Sequence, residues 1–203
     1  TASFGNYGAW VASPDWAYDQ LRRPMVCDPG ECHEYSTGNT HLLSVILTRA
    51  TGRSLRQYML DELLRPMGIS LGEWDRDPQG RYLGGNNMSL SPRDMLKFGQ
   101  LYANGGRFAG QQLVPEEWIR ASWQPTGRSP WNGHGYGYLW WIRRWGGERA
   151  YFAWGYGGQF IVVVPRLVLV MVATYSLRNP QREETRRMCL FFDPYALPEF
   201  VQR

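Results

Sequence analysis

Two hydrophobic periods run along this chain and divide it. Up to about residue 123 apolar positions recur at helical spacings; from Tyr136 they alternate or run together as strands do. Leu42, Leu43, Ile46, Leu47 and Ala50 fall at spacings of one, three and four, on one face of a predicted helix. Thr37 or Asn39 caps its start, and Gly52 supplies a left-handed stop. A second helix spans residues 54 to 64, capped by Ser54, with Leu55, Tyr58, Met59 and Leu63 on one face; Pro66 and Gly68 end it. Ser91-Pro92-Arg93-Asp94 opens a third, with serine at the cap, proline at the first helical position and acid in the first turn. It runs to about Tyr102 and stops at Asn104-Gly105-Gly106, and a fourth covers residues 115 to 123. Residues 1 to 34 are turn-rich, with one short helix at 15 to 21. Residues 70 to 90 form a loop with a turn at Asp77-Pro78-Gln79-Gly80 and a short strand near 81 to 83.

Beyond that point the runs 136–142, 149–154, 159–164 and 167–174 are rich in Val, Ile, Tyr, Phe and Trp. Gly146-Gly147, the stretch Gly155 to Gly158, and Pro165-Arg166 separate them. Connections this short join antiparallel neighbours, so the runs form a meander. The last two runs are apolar on both faces, which predicts a sheet covered on both sides. A final helix over residues 181 to 192 presents Met188, Cys189, Phe191 and Phe192. Helices followed by an antiparallel sheet make an α+β architecture.

At 203 residues and 43% hydrophobic, the chain is long enough to bury a core as a single domain, residues 1 to 203. The net charge of +4 comes from scattered arginines without a basic run, which argues against a nucleic-acid partner. No apolar run reaches the length of a membrane span, and the first residues lack the pattern of a signal peptide. Ten tryptophans are many for this length. Trp10, Trp16, Trp131, Trp140, Trp141 and Trp154 are candidates for an apolar cleft, although Trp140 and Trp141 point to opposite faces of one strand and at least one is core. Cys27 and Cys32 flank Asp28-Pro29-Gly30, a turn that brings them within bridging range in an oxidising compartment. Neither cysteine makes a haem or zinc motif with His33 or His41 at the usual spacing, so no cofactor or metal is expected.

The motifs carry a resemblance. Tyr35-Ser36-Thr37-Gly38-Asn39-Thr40 runs into an apolar helix and then into Ala50-Thr51-Gly52-Arg53-Ser54 and residues 63 to 69, Leu-Leu-Arg-Pro-Met-Gly-Ile. Gly84-Gly85-Asn86-Asn87, the stretch from Ser91 to Gly99, and Gly155-Tyr156-Gly157-Gly158-Gln159 follow in order. Together these resemble the serine β-lactamase and penicillin-binding-protein superfamily, in particular the class C β-lactamase-like esterases and the 6-aminohexanoate-dimer hydrolases. The resemblance implies a β-lactamase/transpeptidase-like fold, an antiparallel sheet flanked by helices, and a small-molecule amide or ester substrate. It also implies a bacterial periplasmic or secreted setting.

Enzymes of that superfamily attack a carbonyl with a serine whose proton passes to a nearby lysine and tyrosine, while backbone N–H groups hold the oxyanion. Serine and lysine lie one helical turn apart in Ser-x-x-Lys. This chain has one lysine, Lys97, and Asp94 stands three residues before it, so the motif is absent. The expectation is therefore a C-terminal portion, incomplete at the N-terminus and inactive alone, associating with the missing segment or with copies of itself. Tyr35 matches the family tyrosine, and either Thr37 or Asn39 serves as the family asparagine. The family's Lys-Thr-Gly falls at Ala153-Trp154-Gly155; loss of its lysine points away from β-lactams towards neutral substrates. Tyr156, or in a shifted alignment Gln159, then donates an oxyanion N–H, with Gly157 and Gly158 admitting the substrate. Arg93 and Asp94 read as a structural pair.

Plainer readings stand beside these. Tyr35 can simply pack over a helix start, the glycines can form a bulge, and the fold can serve as a binding module without turnover. Gly68-Ile69-Ser70-Leu71-Gly72 fits a nucleophile elbow, with His134 downstream, but a helix rather than a strand precedes it. Thr1 lacks the strand-rich opening of N-terminal-threonine hydrolases.

Overall fold

In the computed structural model of the chain, residues 3–130 and 132–174 are described, those from 3 to 6 by backbone alone. The predicted helix at 181 to 192 and the side chain of Trp131 lie outside the described residues. The chain divides between Leu90 and Ser91 into two compact units.

In the first unit, α1 (Ser3–Val11) and α2 (Trp16–Leu21) precede the long helix α3 (Thr37–Thr51). Asp15 caps α2 by accepting the backbone N–H groups of Ala17 and Tyr18. Helix α1 is not marked in the sequence, because the small residues Ser3, Gly5, Gly8 and Ala9 interrupt any apolar face, and from residue 7 on Trp10 is its one buried side chain. Trp10 and Trp16 are both buried and packed with Leu83. The Trp10 indole donates to the carbonyl of Trp16, and the Trp16 indole to that of Val11, which closes the α1–α2 corner.

Helix α3 ends as expected, with Gly52 left-handed at φ 68°. Its cap and its buried face differ from expectation. The cap is Ser36, whose hydroxyl accepts the Asn39 N–H; Thr37 and Asn39 already lie inside the helix. The buried face carries Gly38, His41, Ser44 and Val45. Leu43 and Ile46 instead point outward, 54% and 60% exposed. The reason is polar pairing. Residues 74–88 lie along the His41 face and satisfy it: His41 meets Asp77, and the Ser44 hydroxyl donates to the Tyr82 carbonyl at 2.6 Å. Buried polar groups with fixed partners can outcompete a leucine face for the core.

Helix α4 (Leu55–Met59), capped by Ser54, continues as one π-helical turn, Leu60–Leu64. Leu64, Met67 and Ile69 are its buried anchors. The loop at 70–90 holds bridges Trp74↔Met88 and Arg76↔Tyr82 in place of a longer strand. Cys27 and Cys32 are disulfide-bonded, with Cα atoms 6.2 Å apart.

In the second unit, α5 (Pro92–Ala103) starts at the Ser91 cap. Asp94 there accepts from the Ser91 hydroxyl and from Lys97 Nζ at 3.0 Å, so its ion-pair partner is Lys97 and not Arg93. A small hairpin, β1 (Arg107–Phe108) and β2 (Gln111–Gln112), leads to α6 (Glu116–Ser122). Six antiparallel strands then follow in sequential order: β3 (Gly127–Arg128), β4 (Gly135–Tyr136), β5 (Trp141–Trp145), β6 (Glu148–Gly155), β7 (Gln159–Val164) and β8 (Leu169–Ala173). The strand expected at 136–142 is interrupted, because Leu139 takes φ 67° and the chain turns before Trp141. Trp140 and Trp141 are both buried. Strand β7 is buried from Phe160 to Val164, while β8 is half-buried throughout. The core joins Tyr102, Ile119, Trp140, Ile142, Tyr151, Ile161 and Val163, with Trp123 stacked on Tyr151 at 4.1 Å. Among the described residues no helix is long and apolar enough to cross a membrane.

Candidate active site

The predicted site residues fall into two groups, each brought together by one structural element. Tyr35, Thr37 and Asn39 stand at the start of α3. Trp154, Gly155, Tyr156, Gly157, Gly158 and Gln159 stand at the turn between β6 and β7.

The first group is held from three directions. Ser36 caps the helix, so the residue before it, Tyr35, leaves the helix at a fixed point. Gln20, buried on α2, donates from Nε2 to Asn39 Oδ1 at 2.7 Å and to the Ser36 hydroxyl at 3.4 Å. Behind the turn lie Gly84 and Gly85. A side chain at Gly84 would stand 2.2 Å from the Thr40 carbonyl oxygen, and one at Gly85 would stand 2.3 Å from the Thr40 hydroxyl and 2.9 Å from the Thr37 methyl. Only glycine allows the loop to lie this close. Asn86 Nδ2 then donates to the Tyr7 hydroxyl at 2.9 Å, tying the loop to α1.

Tyr35 is half-buried, and burial pushes its phenol above the ordinary value. An unperturbed phenol, pKa about 10, is ionised to about one part in a thousand at pH 7; burial lowers that fraction further. A neighbouring ammonium is what makes a phenol a base. The chain's one lysine is in an ion pair with Asp94. Asn39 is exposed; with Oδ1 taken by Gln20, it presents its amide N–H groups outward. Thr37 is half-buried, and its carbonyl accepts from the Thr40 hydroxyl.

In the second group, Gly155 pairs with Gln159 and three residues make the turn. Gly157 and Gly158 have φ 86° and 90°, a left-handed backbone that a side chain would strain, and the Gly158 N–H donates to the Gly155 carbonyl at 3.2 Å. Tyr156 is 88% exposed at the tip. Trp154 is half-buried and stacks on Phe160, ring centroids 5.8 Å apart, with its edge near Trp141. Of the other cleft candidates, Trp10, Trp16, Trp140 and Trp141 are core.

Ser70 is exposed on an irregular segment that follows a helical turn, so no strand–turn–helix elbow forms around it. Sequence reasoning did not single out Gln20, whose only signal is its position on a short helix upstream. The His41–Asp77 pair was equally hidden, since the two residues are 36 apart.

An α-helical unit carrying a capped tyrosine turn, and an antiparallel sheet carrying a glycine turn, define a β-lactamase-like fold. The chain belongs to the Beta-lactamase family, a family of serine hydrolases, whose family model it matches over residues 4–188. It is similar to the solved structure of a putative 6-aminohexanoate-dimer hydrolase from Bacillus anthracis (24% identity, TM-score 0.75, 87% of this chain and 47% of that one). It is also similar to an octameric penicillin-binding-protein homologue from Pyrococcus abyssi (21%, 0.72, 95% and 48%). A third is a β-lactamase from Mycobacterium bovis (16%, 0.71, 87% and 68%). The chain thus spans about half the length of the first two. No curated protein matches it in sequence.

Proposed function

We propose that these 203 residues supply the tyrosine turn and the oxyanion strand of a serine hydrolase acting on neutral amide or ester bonds. The observation that carries this is the Tyr35 turn. A half-buried phenol is held at a fixed helix start by Ser36, Gln20 and the Gly84–Gly85 loop, a degree of support that mere packing does not require. The serine and its lysine come from polypeptide outside these residues. The serine Oγ attacks the carbonyl carbon and gives its proton to the lysine–Tyr35 pair, which passes it to the leaving nitrogen or oxygen as that bond breaks. Water then hydrolyses the acyl-serine. Asn39 offers N–H donors beside the reacting carbonyl, and the Tyr156 backbone N–H supports the oxyanion. Ala153 in place of a lysine favours substrates without a carboxylate. The family match runs through both units, which supports one β-lactamase-related domain over residues 1–203.

The outward Leu43 and Ile46 support association, with the upstream segment or as a homo-oligomer, and the Cys27–Cys32 bridge suits an oxidising compartment. The test compares p-nitrophenyl ester hydrolysis by this chain and by one extended upstream with the Ser-x-x-Lys segment. The extended chain is expected to turn over and to show an acyl-enzyme by mass spectrometry, and this chain alone to do neither. Absence of both from a folded extended chain overturns the reading. The exposed Tyr156 beside Trp154 favours one alternative, a binding module without turnover. That module would give saturable tryptophan quenching by ligand and no hydrolysis in either chain.

A further inference from the structure

His41 is the point at which four parts of the first unit meet. Its Nε2 lies 3.0 Å from Asp77 Oδ2, with both side chains wholly buried. The Trp10 and Trp16 rings stand edge-on to the imidazole, each 5.7 Å away, so α1 and α2 close over it. Asp77 is in turn the hub of its own loop. Its Oδ1 accepts the backbone N–H groups of Gln79 and Arg81, and its Oδ2 accepts Arg81 Nε at 2.7 Å. The same loop then delivers Leu83 against Trp10 and Trp16, and Gly84 and Gly85 against the first turn of α3.

The hydrogen bonds fix the proton. Both oxygens of Asp77 act as acceptors, so Nε2 of His41 carries the hydrogen and Nδ1 is the bare nitrogen. Nδ1 is fully buried, and no partner among the described residues reaches it. A second proton would therefore sit on Nδ1 as a buried N–H with no acceptor, while Nε2–H keeps Asp77.

We propose that His41 is an acid-sensitive latch: uptake of one proton at Nδ1 releases the 74–88 loop from α3 and so frees the turn that carries Tyr35. Three charged groups face the imidazole. Burial is the largest influence and, with Arg81, outweighs Asp77 and Asp15, which favour the cation, so His41 is held below its ordinary value. The sign follows. A histidine whose folded pKa is depressed adds stability above its unfolded value, about 6.5, and loses it as pH falls below that. The latch works whether or not the tyrosine turn serves a hydrolase.

The experiment is amide hydrogen exchange of the 203-residue chain between pH 7.5 and 5.5, corrected for intrinsic rates. Exchange at Asp77, Arg81 and Leu83 is expected to rise up to about tenfold as pH falls from 7.5 to 5.5, the limit for one proton taken up only by the open form. In His41→Gln, whose amide can still donate to Asp77, the profile is expected to be flat. Equal pH dependence in the two proteins overturns the proposal, as does no pH dependence in the parent. If His41→Gln does not fold, the imidazole nitrogen spectrum of the parent decides. The Nε2–H neutral tautomer is expected to persist below pH 6.5 and to vanish together with loop protection. Titration of His41 at its ordinary value with the loop still protected overturns the latch.

Discussion

Gln20 reaches from α2 to Asn39 in the first turn of α3, with Nε2 2.7 Å from Oδ1. Its own Oε1 occupies the space where a side chain at Gly38 would begin, 2.1 Å from the position of that Cβ. One amide therefore sets both the orientation of Asn39 and the residue tolerated next to it.

The pairing predicts a reversal of sign. Gly38→Ala should destabilise the parent, because the methyl displaces the Gln20 amide and leaves it buried without Asn39, a loss of about 1–3 kcal/mol. In a Gln20→Ala background the same change should stabilise by up to about 1 kcal/mol, as alanine replaces glycine in a helix. Urea unfolding of the four proteins of this double-mutant cycle reads the coupling directly. Additive effects would mean that Gln20 does not hold the turn.

Tyr35 should titrate above the ordinary value of a phenol. Its folded pKa is raised by burial, so the neutral phenol contributes stability that is complete below about pH 10 and lost as pH rises through the folded value. Absorbance titration of phenolate in the parent and in Tyr35→Phe checks this, and the difference spectrum should contain one late-titrating phenol. A difference centred at the ordinary value would place Tyr35 in solvent.

Reduction of Cys27–Cys32 should loosen the segment that leads into Tyr35 more than it lowers global stability. The bridge closes a loop with a sequence separation of only 5, so chain entropy assigns it about 2 kcal/mol. Limited proteolysis with and without reductant is the measurement, and new cleavage is expected between residues 22 and 34. Unchanged cleavage would show that the segment is fixed by other contacts.

Leu43→Glu with Ile46→Lys should change unfolding free energy by less than about 0.5 kcal/mol, because both side chains already face outward. The same double substitution should shift sedimentation of this chain towards smaller species. A large loss of stability would return these two residues to the core.

Helix ends and the late strands were legible because their signals are local. Ser91 and Pro92 mark the start of α5, and the Val-rich run of β7 is bounded by glycine and proline. The tyrosine turn was legible from its motif. The face of α3 was not, since periodicity counts leucines and cannot see that His41 and Ser44 have partners 36 and 38 residues away. Ser36 was masked as the cap by two polar neighbours equally suited by type. Strands β1 to β4 have two residues each, too short to show an alternation. Gln20 carries its role entirely in three dimensions, and nothing in its neighbours along the chain announces it.

The Trp10–Trp16 corner makes the first unit optically self-reporting. Two indoles with centroids 4.7 Å apart and planes inclined at 46° couple their electronic transitions, which gives an exciton couplet in circular dichroism. The imidazole of His41 touches both rings, and an imidazolium in that position also quenches indole emission. Acid opening of this corner therefore writes its own spectrum, with no dye attached.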